Sequence, residues 1–366
     1  MRYARGLTSS LESTLISVPA WGTPSPTSAL GPMTVQRREP RARDVVIDIL
    51  FCGVCHSDLH QARGEWGGER YPMVPGHEIV GRVSRVGPGV SRFKVGDQVG
   101  VGCMVDACGT CSTCREGMEQ FCERGPAVTY NGTEMDRETP TYGGYSTQVV
   151  VDERFVLRVP ESLDPAAAAP LLCAGVTTWS PLRQWNCKPG DRVGVVGLGG
   201  LGHMAVKLAK SLGAHVTVLS TSAGKEADAR RLGADGFAVT GAEGALKPLA
   251  RTLDLVIDTV SAPHAYAPYL GLLRPRGTLV LVGAPTEPAQ VHAFSLIGGN
   301  KRLVGSMIGG IAETQEMLDH CARHGITADI ERIAIQDINH AWERMLRSDV
   351  RYRFVIDLQS LRGAQP

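Results

Sequence analysis

Neither sign of charge dominates this chain: 38 Lys and Arg stand against 37 Asp and Glu, a formal net charge of +1. That balance leaves no electrostatic case for nucleic acid or an anionic membrane as partner. No apolar run approaches the length needed to span a bilayer, which argues against a transmembrane protein. Internal repeats and low-complexity tracts are lacking too. The first 17 residues, MRYARGLTSSLESTLIS, have no apolar core for secretion, and their two arginines are only a slight bias. They read as a disordered N-terminal extension.

What is present is an ordinary soluble composition, 43% apolar and 20% charged, in 366 residues, enough for two domains. Ten cysteines could mean disulfides, but most cluster in 52–55 and 103–122 at spacings that suit a metal better than a loop-closing bridge. Cys52, Cys103, Cys187 and Cys321 stand outside such a pattern and read as core residues. This usage fits a reducing, cytoplasmic setting.

From about residue 31 to 160 short β-like runs alternate with glycine and proline, as in DVVIDILF and GYSTQVVV. They predict a rolled, mostly antiparallel β domain. After PAAAAPLLCAGVTTWSPL the rhythm changes to strands alternating with helices, which predicts a doubly wound parallel sheet. The tail predicts two helices and a final strand that rejoins the first domain.

Gly197-Leu198-Gly199-Gly200-Leu201-Gly202 matches the G-x-G-x-x-G fingerprint, between a predicted strand and a predicted helix. Gly197 permits the turn, Gly199 lets backbone approach a pyrophosphate, and Gly202 lets helix and strand pack closely. The helix N-terminus then offers unpaired N–H groups to the phosphates. NAD sites place an acid at the end of the next strand to hold the ribose hydroxyls. Here Ser220, Thr221 and Ser222 take that place, with Lys225 beyond, so hydroxyls and a cation suit a 2′-phosphate and NADP(H) is expected. The plainer alternative is that Lys225 is a solvated helix residue.

Cys108, Cys111, Cys114 and Cys122 read C-x₂-C-x₂-C-x₇-C. Four thiolates so close in sequence can enclose a tetrahedral zinc with no open position, a structural site. A second set is more dispersed: Cys55 in CGVCHSDLH, His77 and Glu78 in GHE, and Cys173 in LLCAG. Two cysteines, a histidine and an exchangeable position form the catalytic zinc arrangement already known for alcohol dehydrogenases.

GVCHSD, GHEIVGRVSRVG, the cysteine quartet, LLCAGVTTWSPL, GVVGLGGLGH, LVGAP and GSMIGG together resemble the zinc-dependent medium-chain alcohol dehydrogenases. Within that family the sequence is most similar to the cinnamyl-alcohol-dehydrogenase branch and to bacterial NADP-dependent aldehyde reductases, from about residue 20 to the end. The resemblance implies an α/β fold: a GroES-like, mostly antiparallel β catalytic domain at 18–160 and 310–366, and a Rossmann cofactor domain at 161–309. It makes Cys55, His77 and Cys173 the catalytic zinc ligands, with Glu78 able to enter the shell and Asp58 orienting His77. Ser57 would hydrogen-bond the substrate oxygen and His60 pass the proton toward solvent. Thr177 and Val282 would pack on the nicotinamide, Thr259, Gly283, Ser306, Met307 and Ile308 would line the rest of the groove, and Arg353 would meet the pyrophosphate.

Trp66, Trp179, Met307 and Ile308 are candidates for an apolar substrate wall, each equally explained as plain packing. Trp179 replaces an expected tyrosine and would narrow the pocket. The implied activity is reversible reduction of medium aliphatic or aromatic aldehydes to primary alcohols with NADPH (EC 1.1.1.2), using two zinc ions per chain in a homodimer formed through LVGSMIGG. The alternatives are an NAD-dependent alcohol or polyol dehydrogenase and a non-catalytic nucleotide-binding or redox-sensing protein.

Overall fold

Uninterrupted apolar runs such as RVGVV and LDLVID suit strands buried on both faces, and they build a sheet of six parallel strands. Its spatial order is Gly236–Val239, His215–Ser220, Arg192–Val196, Leu253–Asp258, Leu273–Leu281, Arg302–Gly305. Numbered along the chain this is 3-2-1-4-5-6, the doubly wound dinucleotide-binding order. Direction reverses beside Arg192–Val196, where Val196 lies level with both Leu219 and Asp258. A ligand crevice is expected beyond those strand ends.

The computed structural model describes residues 15–285 and 287–362. A second, seven-stranded sheet is mostly antiparallel and centres on Asp44–Gly53, paired with Ile79–Val86, Gln148–Asp152 and Arg353–Asp357. The last of these is the returning tail: Ile356 lies opposite Cys52. Helix Ile311–His324 and helix Ile338–Leu346 precede it. Between them lies a strand the sequence reading missed, Ile330–Ala334, parallel to Arg353–Asp357. IERIA is too short and too charged to register as a strand without its partner.

Leu15, Ile16 and Ser17 also depart from expectation. They belong to strand Leu15–Gly22, which forms a hairpin with Gly31–Arg38. The remainder of the expected extension, residues 1–14, lies outside the described residues.

Candidate active site and metal centres

Three distant segments converge on one dry point. Cys55 caps the short helix His56–Ala62, His77 and Glu78 lead into strand Ile79–Val86, and Cys173 caps helix Ala174–Gln184. Their four ligand atoms all lie within 4.8 Å of one another, and all four residues are buried. Asp58 organises them from behind. Its fully buried carboxylate accepts the Cys55 N–H at 2.9 Å, the Gly76 N–H at 3.2 Å, His77 Nδ1 at 3.1 Å and the Tyr145 hydroxyl at 3.2 Å. With Nδ1–H donated to Asp58, His77 keeps Nε2 as a free lone pair for a metal. Backbone space matters as well: a β-carbon at Gly53 would collide with the Glu78 carboxylate.

The charges here ask for a cation. The hydrogen bond from Cys173 and then the charge of Arg353 hold the Cys55 thiol well below its usual range against burial, while bonding to Cys103 and Cys55 pushes Cys173 up. Burial raises Glu78 to about 8 even though Arg353 forms an ion pair with it. Glu78 Oε2 has no hydrogen-bond partner. Two sulfurs, an imidazole and a partly unsatisfied carboxylate gathered out of water suit a zinc ion, which would neutralise them.

Ser57 Oγ stands 3.6 Å from the Cys55 sulfur, at the edge of this cluster. His60 is on the same short helix, but no hydrogen bond joins it to Ser57; its Nδ1 pairs with Glu65, and its ring stacks on Trp66 with centroids 5.4 Å apart. His56 lines the neighbouring cleft with Leu198, Gly199, Gly200, Lys225 and Arg353.

The quartet Cys108, Cys111, Cys114 and Cys122 likewise brings four ligand atoms within 4.8 Å. Its order is local. The Thr110 and Cys111 N–H groups point at the Cys108 sulfur at 3.5 and 3.4 Å, and these bonds draw its pKa down to about 5. Burial drives Cys114 the other way, up to about 12. The lobe also reaches outward: the Glu119 carboxylate accepts the Ile311 N–H at 3.1 Å, capping the helix that follows Ser306–Gly309.

The glycine turn sits at the switch point. Gly197 has φ +85°, and a β-carbon at Gly202 would strike the Gly197 carbonyl, whereas one at Gly199 would meet nothing within 4 Å. That open backbone, beside Lys225 and Arg353, fits a dinucleotide's phosphates. Leu198 and Leu201 pack their side chains inward, and the Leu198 carbonyl accepts from Lys225 Nζ at 2.9 Å. Ser220 is buried and its Oγ accepts the Ser222 N–H at 3.2 Å, while Thr221 and Ser222 are exposed. Thr259 donates its hydroxyl to Val196 O at 2.7 Å, and the Val282 and Gly283 N–H groups meet Asp258 O at 3.0 and 3.1 Å. Thr177 is buried one turn into the Cys173 helix, and the buried Ser306 Oγ has no partner. Arg353 lies against Gly200 but spends its charge on Glu78.

Two expectations fail. Trp179 is 2% exposed and packs in the core of the parallel-sheet side, against His320 at 4.7 Å; it is no pocket wall and narrows nothing. Helix Ala174–Gln184 turns that face inward, which its residue type could not reveal. Cys103 is not a plain core residue: its thiol donates to the Leu172 carbonyl at 4.0 Å, hydrogen bonding with Cys173 draws it below the usual thiol range, and it lines a small cavity with Leu172, Val176 and Ile308. Met307 is half exposed and Ile308 bridges the two cores, while Trp66 is 49% exposed. Cys52, Cys187 and Cys321 are buried as expected, and all ten cysteines are free thiols.

Comparisons with known proteins agree with this geometry. Residues 41–161 match the alcohol dehydrogenase GroES-like domain and residues 200–323 the zinc-binding dehydrogenase domain. An NADP-dependent alcohol dehydrogenase C of Mycolicibacterium smegmatis is 54% identical over 348 residues, covering 95% of this chain and 99% of its own length. The aldehyde reductase YahK of Escherichia coli is 51% identical, covering 94% and 99%. Among solved structures, a cinnamyl alcohol dehydrogenase of Sorghum bicolor superposes with TM-score 0.92 at 48% identity, covering 96% of this chain and 99% of that one. A Helicobacter pylori enzyme of the same name, in complex with NADP(H), gives TM-score 0.88 at 40% identity, covering 94% and 99%.

The chain belongs to the zinc-dependent medium-chain alcohol dehydrogenases. Within them it falls in the cinnamyl-alcohol-dehydrogenase branch. Among the described residues no helix is long and apolar enough to cross a membrane.

Proposed function

We propose that this protein reduces aldehydes to primary alcohols, reversibly, with NADPH as hydride donor, and that medium aliphatic or aromatic aldehydes are its substrates. The observation that carries the reading is the buried Cys55–His77–Glu78–Cys173 cluster, tied to the glycine turn by Arg353, which pairs with Glu78 and lies against Gly200. When bound, zinc supplies Lewis acidity toward a carbonyl oxygen and the reduced nicotinamide supplies hydride.

The chain's residues do the rest. Cys55, His77 and Cys173 hold the metal, Glu78 is the exchangeable fourth group, and Asp58 fixes the ring of His77. The quartet holds a second, structural zinc. Ser57, whose hydroxyl both donates and accepts, positions the substrate oxygen and delivers its proton. His60, partly exposed beside Glu65, exchanges that proton with solvent once its ring turns toward Ser57. Main-chain N–H groups of the glycine turn and Arg353 hold the pyrophosphate. Ser220, Thr221, Ser222 and Lys225 hold the 2′-phosphate; no carboxylate stands among them to repel it. Thr177, Val282, Gly283 and the 306–308 segment set the nicotinamide side of the groove.

A panel of aldehydes with NADPH and with NADH, run with a metal count, tests this. Turnover with NADPH and two zinc ions per chain is expected; full activity in a metal-free sample would overturn it. Ser220→Asp should lower the NADPH/NADH preference at least about tenfold by charge repulsion, and an unchanged ratio would defeat the 2′-phosphate assignment. We also propose a cytoplasmic homodimer. Arg302–Gly305 is the outer strand of the parallel sheet, with exposed Phe294 and Ile297 close by in sequence, and light scattering should give twice the chain mass.

A further inference from the structure

Asp258 and His264 take part in none of the steps above, yet they pair at the centre of the parallel sheet's upper edge, the carboxylate buried and the imidazole half-buried. Asp258 ends strand Leu253–Asp258 and is 1% exposed. His264 lies six residues further on, with Nε2 2.7 Å from Asp258 Oδ2 and Nδ1 2.8 Å from the Ala262 carbonyl. Both ring nitrogens therefore face acceptors. A neutral imidazole has one N–H, so the pair together holds one proton more than a carboxylate beside a neutral ring. Tyr266 and Tyr269 stand edge-on to the imidazole at 4.8 and 5.9 Å; with Asp258 they are the titratable groups facing it among the described residues.

The loop enclosed by this pair is wedged between the two halves of the cofactor groove. Asp258 Oδ1 accepts the Val260 N–H at 3.1 Å. On one side a β-carbon at Gly197 would lie 2.9 Å from Val260 and 3.1 Å from Thr259 Oγ1. On the other, a β-carbon at Gly283 would run into the Val260 carbonyl, and the Asp258 carbonyl itself holds the N–H groups of Val282 and Gly283. A shift in Val260 is thus felt at the phosphate turn and at the nicotinamide side together.

We propose that His264 is a positioning residue for the cofactor: by bridging Asp258 and Ala262 it latches the 259–261 loop, which sets the spacing between the Gly197 turn and the Val282–Gly283 strand end. This rests on the reading of the groove as the nicotinamide dinucleotide site. Burial works against the charged ring, but the bonds to Ala262 and Asp258 outweigh it and hold its pKa above the ordinary histidine value. The latch is therefore closed at lower pH and opens as pH rises through that raised value.

The test is calorimetric binding of NADPH to the zinc-loaded full chain across the neutral to alkaline range. Wild type should bind most tightly at the low end and lose affinity along an alkaline limb. His264→Ala should bind about tenfold more weakly, a cost of about 1.4 kcal/mol, with that limb gone and kcat at saturating cofactor within about twofold of wild type. His264→Gln, which keeps one donor, should regain part of the affinity without the limb, and it carries the test should His264→Ala fail to fold. Groups that titrate on the cofactor itself appear equally in all three proteins and drop out of the difference. Variants with wild-type affinity and an intact limb would overturn the latch alone; a wild type that binds no NADPH at any pH would overturn the dinucleotide reading and the latch with it.

Discussion

The two sulfur clusters solve one problem in opposite ways. Cys108, Cys111, Cys114 and Cys122 come from a single stretch, two half-buried and two buried, and are ordered by N–H groups of their own loop. Cys55, His77, Glu78 and Cys173 come from three separated segments and meet only because one sheet and two helices bring them together. A local site depends on metal to hold its own loop; a distributed site depends on the fold to hold its metal. Removing a ligand should therefore cost stability at the first and chemistry at the second.

Cys173→Ser is the severest way to break that contrast. It should lower kcat/KM at least about a thousandfold by removing several kcal/mol of electrophilic assistance, with the melting temperature nearly unchanged and one zinc lost. Retained turnover would refute the ligand assignment. Cys111→Ser should do the reverse, lowering stability by about 4 kcal/mol or more, as loss of a structural metal does. A denaturation midpoint equal to wild type would remove the structural role.

Asp58→Asn sharpens the comparison, since it leaves every ligand in place and disturbs only the group behind His77. Activity or zinc affinity should fall about ten- to a hundredfold, and a wild-type value of both would show that the ring needs no anchor. Glu119→Ala is the mildest, removing one charge-assisted helix cap between the quartet's lobe and Ile311. About 1 kcal/mol of stability should go, measured by urea denaturation, with the NADPH/NADH ratio unaffected.

The same contrast explains what could be read from sequence. The quartet was legible because all its chemistry lies within one spacing pattern, and the glycine turn because strand, turn and helix are contiguous. The dispersed cluster needed family resemblance to join Cys55 to Cys173. Cys103 reads from sequence as a core residue because nothing local marks it; only the return of the chain at Leu172 and Cys173 brings it to the site. Gly53 carries no sequence signal for a related reason, as the group it makes room for is 25 residues away. Trp179 shows the limit of residue type: a large aromatic near a site in sequence faced the opposite core in space.

Arg353 lies against the glycine turn and neutralises Glu78 at once, so a single guanidinium serves two anionic claimants. Any phosphate that draws it toward the turn weakens its hold on that carboxylate, and any cation that recruits the carboxylate releases the guanidinium for phosphate. Linkage makes this exchange reciprocal: metal and dinucleotide should each tighten the other's binding by one common factor, although no atom of either need touch the other.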